Sequence, residues 1–194
     1  NVVTPVRGFL KDLFEASEDI INFKYGENLV YETNSKRKLQ LATLVKNPLF
    51  NYIGLFQVLN TKIAGDVAFS YNRFLHCNRP YVLYLENPLA PFHYVLGRNE
   101  TIISKMKLRK LFADPNLKEI ICLSKACEST LRCFYSIPSH IRVNQIYPLV
   151  NPKVDVTEEE IKRKSYSDEL ICLYISADFE LKGGQDILEA FKQI

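Results

Sequence analysis

Apolar residues follow two rhythms along this chain. Short runs at 66–70, 81–85, 119–123, 142–147 and 170–175 predict strands. The unbroken apolar character of 170–175 predicts burial on both faces, as in a parallel sheet, and 119–123 reads as a buried strand. Between these runs apolar residues recur at helical spacing. Leu10, Leu13, Phe14 and Ile21 mark a helix over 8–24 that ends near Gly26. Pro48 opens another, with Phe50, Ile53, Leu55, Phe56, Val58 and Leu59 in its apolar set until Gly65-Asp66 breaks it. Further helices are predicted over 98–112, over 125–135 behind a Ser124 cap, and from Ile187 through Leu188 and Phe191 to Ile194. Thr157 and Glu160 have the spacing of a capping box, followed by Glu-to-Lys and Glu-to-Arg pairs at i,i+4. A short strand fits 29–33 and a polar turn 34–38. The segment 39–45 fits a strand or a helix, the strand option making a β-hairpin.

Strands alternating with helices place the chain in the α/β class, with a Rossmann-like, open and mostly parallel sheet. The polar segment 151–169 reads as a linker. It separates a domain at 1–150 from a strand, turn and helix at 170–194 that begin a second domain.

The totals narrow the function classes. A net charge of +3 over 194 residues is too small to argue for nucleic acid. No apolar run approaches the roughly 18 residues that span a bilayer, and no signal peptide opens the chain. The chain begins at Asn1, so it is expected to be a processed or excised piece. Cys77, Cys122, Cys127, Cys133 and Cys172 include no Cys-x-x-Cys pair and read as buried thiols in a reducing, cytoplasmic compartment. His76, His93 and His140 have no second ligand at metal spacing, so no metal site is expected. A serine-hydrolase elbow and a dinucleotide fingerprint are both missing.

Two stretches carry candidate chemistry. The loop 86–94, Glu-Asn-Pro-Leu-Ala-Pro-Phe-His-Tyr, follows the strand 81–85. In open α/β sheets ligands collect at the carboxyl ends of strands. Glu86 fits two roles there: a carboxylate that orients or deprotonates a hydroxyl, or a cap for the loop. Asn87, His93 and Tyr94 share that loop, and His93 also fits a structural place. The second stretch is Lys182-Gly183-Gly184, ahead of the last helix. Glycines let backbone approach a ligand, free helix N–H groups favour an anion, and Lys182 adds a point charge for phosphate. A plain turn with a solvated lysine has the same spelling.

The stretch 174–184, Tyr-Ile-Ser-Ala-Asp-Phe-Glu-Leu-Lys-Gly-Gly, continued by Leu188-Glu189-Ala190-Phe191, resembles the opening of the donor-binding domain in retaining GT-B glycosyltransferases of family 4. The passages at 120–131 and 140–152 resemble the same family, and the likeness spans about 66–194. Ser176 and Ala177 stand where the family usually has glycine and often a phosphate-binding arginine. The resemblance implies metal-independent transfer of a sugar from a nucleoside-diphosphate donor to a glycan or lipid-linked acceptor, as in polysaccharide biosynthesis, with retention and without a cofactor. The lack of an Asp-x-Asp agrees with that route. It implies donor-diphosphate contacts at Lys182, Gly183 and Gly184. It places Glu86-Asn87 where many members carry His-Asp on the acceptor side, in the loop that also holds His93 and Tyr94. Because 170–194 would be only the start of a donor domain, the isolated chain is expected not to turn over a sugar nucleotide. Self-association through that piece is one expected outcome. The competing class is a non-catalytic sugar-nucleotide or phosphosugar binding module, or a subunit of a split transferase.

Residues 98–112 place Ile102, Ile103, Met106 and Leu111 on one side and carry Lys105, Lys107, Arg109 and Lys110. Such a helix fits a core helix with a solvated face. It also fits a peripheral contact with an anionic membrane, which would put the protein at the inner membrane face.

Overall fold

The computed structural model describes residues 1–4, 8–25, 44–45, 47–149, 156–165, 171–176 and 179–193. The chain divides into two compact units, Asn1–Asn151 and Pro152–Ile194.

The first unit is α/β. Strands β1 (Val58–Asn60) and β3 (Phe74–His76) pair with each other in parallel. Strands β2 (Ala68–Tyr71), β4 (Tyr81–Leu85), β5 (Leu117–Cys122) and β6 (Arg142–Gln145) form an open parallel sheet in the order β2-β4-β5-β6. On the free side of β2, Val2 bridges Phe69 and also Tyr25, both in parallel. The helices are α1 (Gly8–Glu15), the single turn α2 (Leu49–Tyr52), α3 (Ile102–Phe112) and α4 (Lys125–Phe134). This is a Rossmann-like arrangement in its parallel, alternating plan.

Strand β4 and the Ile120–Cys122 end of β5 are apolar because both faces of the sheet are covered there. Leu83, Leu85, Ile120 and Cys122 pack with Leu108, Phe112 and Leu131 of α3 and α4. Tyr84, Ile121 and Leu123 pack with Val2, Leu10 and Phe14 on the other side. Phe14 meets Phe69 edge-on at 5.0 Å and stacks on Phe23 at 4.4 Å. Each fully buried side chain of this kind contributes about 1.5–3 kcal/mol. Thr101 and Ser124 cap α3 and α4, accepting hydrogen bonds from the Ser104 and Cys127 N–H groups at 3.1 Å. Each cap contributes about 1 kcal/mol.

Several expectations change. The helix from Pro48 lasts one turn, because Gly54 adopts φ +57 and turns the chain into β1. The helix from Gly8 ends at Glu15 in a run of turns. Strand β3 is new. It lets the segment 72–80 return the chain between the parallel neighbours β2 and β4, a connection usually made by a helix and a dozen or so residues. Helix α3 buries Ser104, Leu108 and Phe112, whereas Ile102, Ile103 and Met106 face outward. Of the cysteines only Cys122 and Cys127 are buried; Cys77 is half-buried, and Cys133 and Cys172 are exposed. The readings at 29–33, 34–38 and 39–43 lie outside the described residues.

In the second unit α5 (Glu158–Ser165) begins with the expected capping box. The Thr157 N–H donates to Glu160 Oε2, and the Glu160 N–H donates to Thr157 Oγ1, both at 3.2 Å. The expected buried strand does not form: 171–176 carries no strand, and Ile171, Leu173 and Ile175 are 81–82 % exposed. An apolar run becomes a parallel strand only beside partner strands, and the described residues of this unit include none. Leu170 lies outside the described residues. Helix α6 (Gly184–Phe191) follows.

Candidate functional site

The first unit concentrates polar groups at the carboxyl ends of its strands. Thr4, buried beyond Val2, accepts the Tyr71 N–H on Oγ1 at 2.6 Å. Asn72, just past β2, donates its N–H to the Tyr84 carbonyl at 2.9 Å and takes a left-handed φ of 60°. Its side chain then faces Glu86, just past β4. Asn72 Oδ1 accepts the Glu86 N–H at 2.9 Å, and Nδ2 lies 3.4 Å from Glu86 Oε2. The Tyr71 hydroxyl donates to the same carboxylate oxygen at 2.5 Å, and the Tyr94 hydroxyl lies 3.3 Å from it. Asn72 Nδ2 also donates to the Tyr94 hydroxyl at 3.1 Å. Hydrogen bonds to an ionised carboxylate are about twice as strong as neutral ones, so this set fixes the Glu86 rotamer.

Loop capping falls to Asn87, whose Oδ1 accepts the Leu89 N–H at 2.8 Å and whose carbonyl accepts the Ala90 N–H at 2.9 Å. The buried 3-10 turn Ala90–Phe92 is held from two sides. Gln57 Nε2 donates to the Ala90 carbonyl at 2.7 Å, and the Gln57 N–H donates to the Pro91 carbonyl at 2.7 Å. Arg98, fully buried, donates from Nη1 to the Phe92 carbonyl at 3.3 Å. Past this clamp His93 and Tyr94 both take left-handed backbone, with φ 58° and 59°. His93 is half-buried. Burial, then the positive charges of Arg98 and Arg73, bring its pKa down to about 4, so it is neutral at pH 7.

Beside Glu86 opens a cavity of about 610 Å³ between the ends of β4 and β5 and the start of α4. Glu86, Asn87, Asn99, Glu100 and Ser124 line its polar part; Leu89, Leu96 and Phe134 line its apolar part. The lining contains two carboxylates and no lysine, arginine or histidine. Leu96 and Phe134 are 79 % and 67 % exposed and form part of its wall. Tyr135 closes one end, with its hydroxyl 3.3 Å from Asn99 Nδ2, and burial raises its pKa to about 12. Cys127 also lines the cavity, its sulfur 3.5 Å from the Leu85 carbonyl. A hydrogen bond with Cys127, together with burial, keeps the Cys122 thiol protonated. The cavity fits an uncharged, hydroxyl-bearing ligand with an apolar face better than a phosphate.

Thus Glu86 and Tyr94 come together with two residues that sequence reasoning missed, Tyr71 and Asn72. Their signals were a tyrosine and an asparagine at a strand end, the asparagine being a residue that tolerates left-handed backbone. Gln57 and Arg98, which position the loop, carried no local signal. Lys182, Gly183 and Gly184 belong to the second unit. Lys182 is exposed, and its carbonyl accepts the Tyr174 hydroxyl at 3.0 Å. Gly183 caps α6 with φ 75°. A Cβ on Gly184 would stand 2.4 Å from the Phe179 ring, so only glycine fits there. The Gly184 N–H donates to the Phe179 carbonyl at 2.8 Å, and Asp186 Oδ2 lies 3.3 Å from where a Gly183 Cβ would stand. No cluster of three or more metal-ligating side chains occurs among the described residues, and no described helix is long and apolar enough to cross a membrane. Comparison with protein-family models, curated proteins and solved structures returns no match.

Proposed function

We propose that this chain is the acceptor-side part of a retaining GT-B glycosyltransferase that works without a metal. The observation that carries the reading is Glu86: a carboxylate at the carboxyl end of a central parallel strand, held by Tyr71, Asn72 and Tyr94, beside a cavity of about 610 Å³. Crevices at the carboxyl ends of strands are where open α/β sheets bind ligands. The cation-free lining suits a glycan or lipid-linked sugar hydroxyl. In the reaction the bond from the sugar C1 to the diphosphate oxygen breaks, and the nucleoside diphosphate leaves with the electron pair. The acceptor oxygen bonds C1 on the same face, and its proton passes to Glu86. The family resemblance assigns the donor diphosphate to Lys182; the N–H groups of Gly183 and Gly184 are already donated to the Glu180 and Phe179 carbonyls.

The test is transfer from a panel of sugar nucleotides by the protein expressed from its whole reading frame. Glu86→Gln is expected to lower kcat by on the order of 100-fold with the donor KM little changed. Lys182→Ala is expected to raise the donor KM. Unchanged turnover in Glu86→Gln would remove the catalytic role of the carboxylate. No transfer from any donor, with oligosaccharide still bound in the cavity, would make the chain a binding module.

A further inference from the structure

We infer that α2 and α3 together form a docking surface for an anionic lipid bilayer. The inference rests on exposed faces of the first unit and does not depend on the glycosyltransferase reading. Helix α3 carries Lys105, Lys107, Arg109 and Lys110 and no acidic residue from Ile102 to Phe112. Ser104, Leu108 and Phe112, four residues apart, face the core. The opposite face presents Ile102, Ile103 and Met106, which are 78 %, 48 % and 56 % exposed. At 3.6 residues per turn these three fall within an arc of about 100°. Lys110 lies in the same arc, Lys105 and Arg109 flank one side of it, and Lys107 flanks the other. An apolar stripe bordered by cations on both sides is the pattern of a helix lying in a membrane interface.

Helix α2 widens the surface. Leu49, Tyr52 and Ile53 are 71 %, 69 % and 49 % exposed. Lys107 Nζ donates to the Ile53 carbonyl at 2.5 Å and to the Gly54 carbonyl at 3.3 Å. The Thr101 hydroxyl donates to the Asn51 carbonyl at 3.3 Å. These bonds hold α2 beside the start of α3, next to the Lys107 border of the stripe. Leu49, Tyr52 and Ile53 bring to six the large exposed apolar side chains on these adjoining segments, tyrosine among them, a residue favoured at the headgroup level. Lys107 and Lys110 also line a recess of about 380 Å³ with Leu55, Phe56 and Leu111. Cations around projecting apolar groups match acidic headgroups above acyl chains, the one surface that offers negative charge and hydrocarbon depth at once.

The test sediments the full chain with phosphatidylcholine vesicles, with and without phosphatidylglycerol. Binding is expected only with phosphatidylglycerol. It is expected to fall at least tenfold as salt rises from about 0.1 M to about 1 M, where the Debye length shrinks from about 10 to about 3 Å. Each surface cation contributes about fivefold, so the variant Lys105→Gln, Arg109→Gln, Lys110→Gln is expected to bind on the order of 100-fold more weakly. The variant Ile102→Ser, Met106→Ser is expected to bind at least tenfold more weakly in low salt, with an unchanged circular dichroism spectrum because both side chains are exposed. Equal binding to both vesicle types, no binding to either, or wild-type binding by the serine variant would overturn the proposal. So would a lipid-free dimer dissociated by these same substitutions, which would assign the face to a second copy of the chain.

Discussion

Arg98→Met removes a fully buried guanidinium with little change in volume. Nε donates to Asn51 Oδ1 at 3.0 Å, Nη1 to the Phe92 carbonyl at 3.3 Å, and Nη2 to the Val45 carbonyl at 2.7 Å. Burial lowers the Arg98 pKa, but a guanidinium stays protonated. Two effects oppose each other. Each hydrogen bond from a charged donor contributes about 1.5–3 kcal/mol, or about 4–9 kcal/mol for three. Withdrawing the cation from water costs several kcal/mol, which methionine recovers. The Phe92 carbonyl keeps the Val95 N–H at 3.2 Å, which softens the loss at that acceptor. The balance is a destabilisation of about 2–4 kcal/mol, or about 4–16 °C in Tm for a chain of this size. Thermal and urea unfolding followed by circular dichroism measure it. Arg98→Lys is expected to be no better than methionine, because an ammonium keeps the desolvation cost and cannot reach three divergent acceptors. A methionine variant as stable as wild type would show that desolvation wins, and a lysine variant clearly better than methionine would refute the fork.

Two further changes probe the same region. The folded pKa of His93, about 4, lies below its ordinary 6.5, so the folded state binds fewer protons between those values, and stability present above pH 6.5 is lost as pH falls towards 4. His93→Asn, which tolerates the φ of 58°, is expected to flatten that part of the pH–stability curve; an unchanged slope in urea titrations would discard the assignment. Gly54→Ala would set a Cβ 2.7 Å from Ser104 Oγ and 2.9 Å from Ser104 Cα at φ +57. The expected loss is about 2–5 kcal/mol by urea unfolding, and a loss below about 1 kcal/mol would mean that α2 shifts freely away from α3.

How much of this could be read from the chain depended on whether a side chain's fate was local. The runs at β4 and at Ile120–Cys122 of β5 were legible because a strand covered on both faces is apolar at successive positions. The Ser124 cap and the Thr157–Glu160 box were legible because capping needs only neighbours. The end of α2 was not, because helical spacing continues past Gly54 and only the approach of Ser104 fixes its left-handed turn. The orientation of α3 was not, because the stripe of Ile102, Ile103 and Met106 is more apolar than the Ser104–Leu108–Phe112 face that meets the core. Ser104 can be buried there because Thr101 Oγ1 lies 2.7 Å from its hydroxyl. At the site, Glu86 was legible from its place after a strand. Its partners came from β2 and from a loop folded back by Gln57 and Arg98, contacts that no spacing encodes.

The backbone around Glu86 separates holding a fold together from holding a carboxylate. Among the described residues, three that are not glycine take left-handed backbone: Asn72, His93 and Tyr94. Such a conformation costs about 1–2 kcal/mol at an ordinary residue and less at asparagine. All three adjoin Glu86, two through side-chain hydrogen bonds and His93 as the residue before Tyr94. Packing does not require the tyrosine. Tyr94 is 51 % exposed, whereas Tyr84 and Tyr135 are buried and pack on core rings. Glycine at 94 would remove the strain. What the tyrosine adds is a hydroxyl 3.1 Å from Asn72 Nδ2 and 3.3 Å from Glu86 Oε2. The surrounding structure makes that geometry compulsory, since Ala90, Pro91 and Phe92 are buried and clamped on both sides just before the strained pair. Strain kept in place by a rigid clamp, at an exposed residue whose hydroxyl meets Asn72 and Glu86, is the mark of a preorganised site. It favours Glu86 as the group that meets the ligand over a reading in which the cluster only closes the end of the sheet.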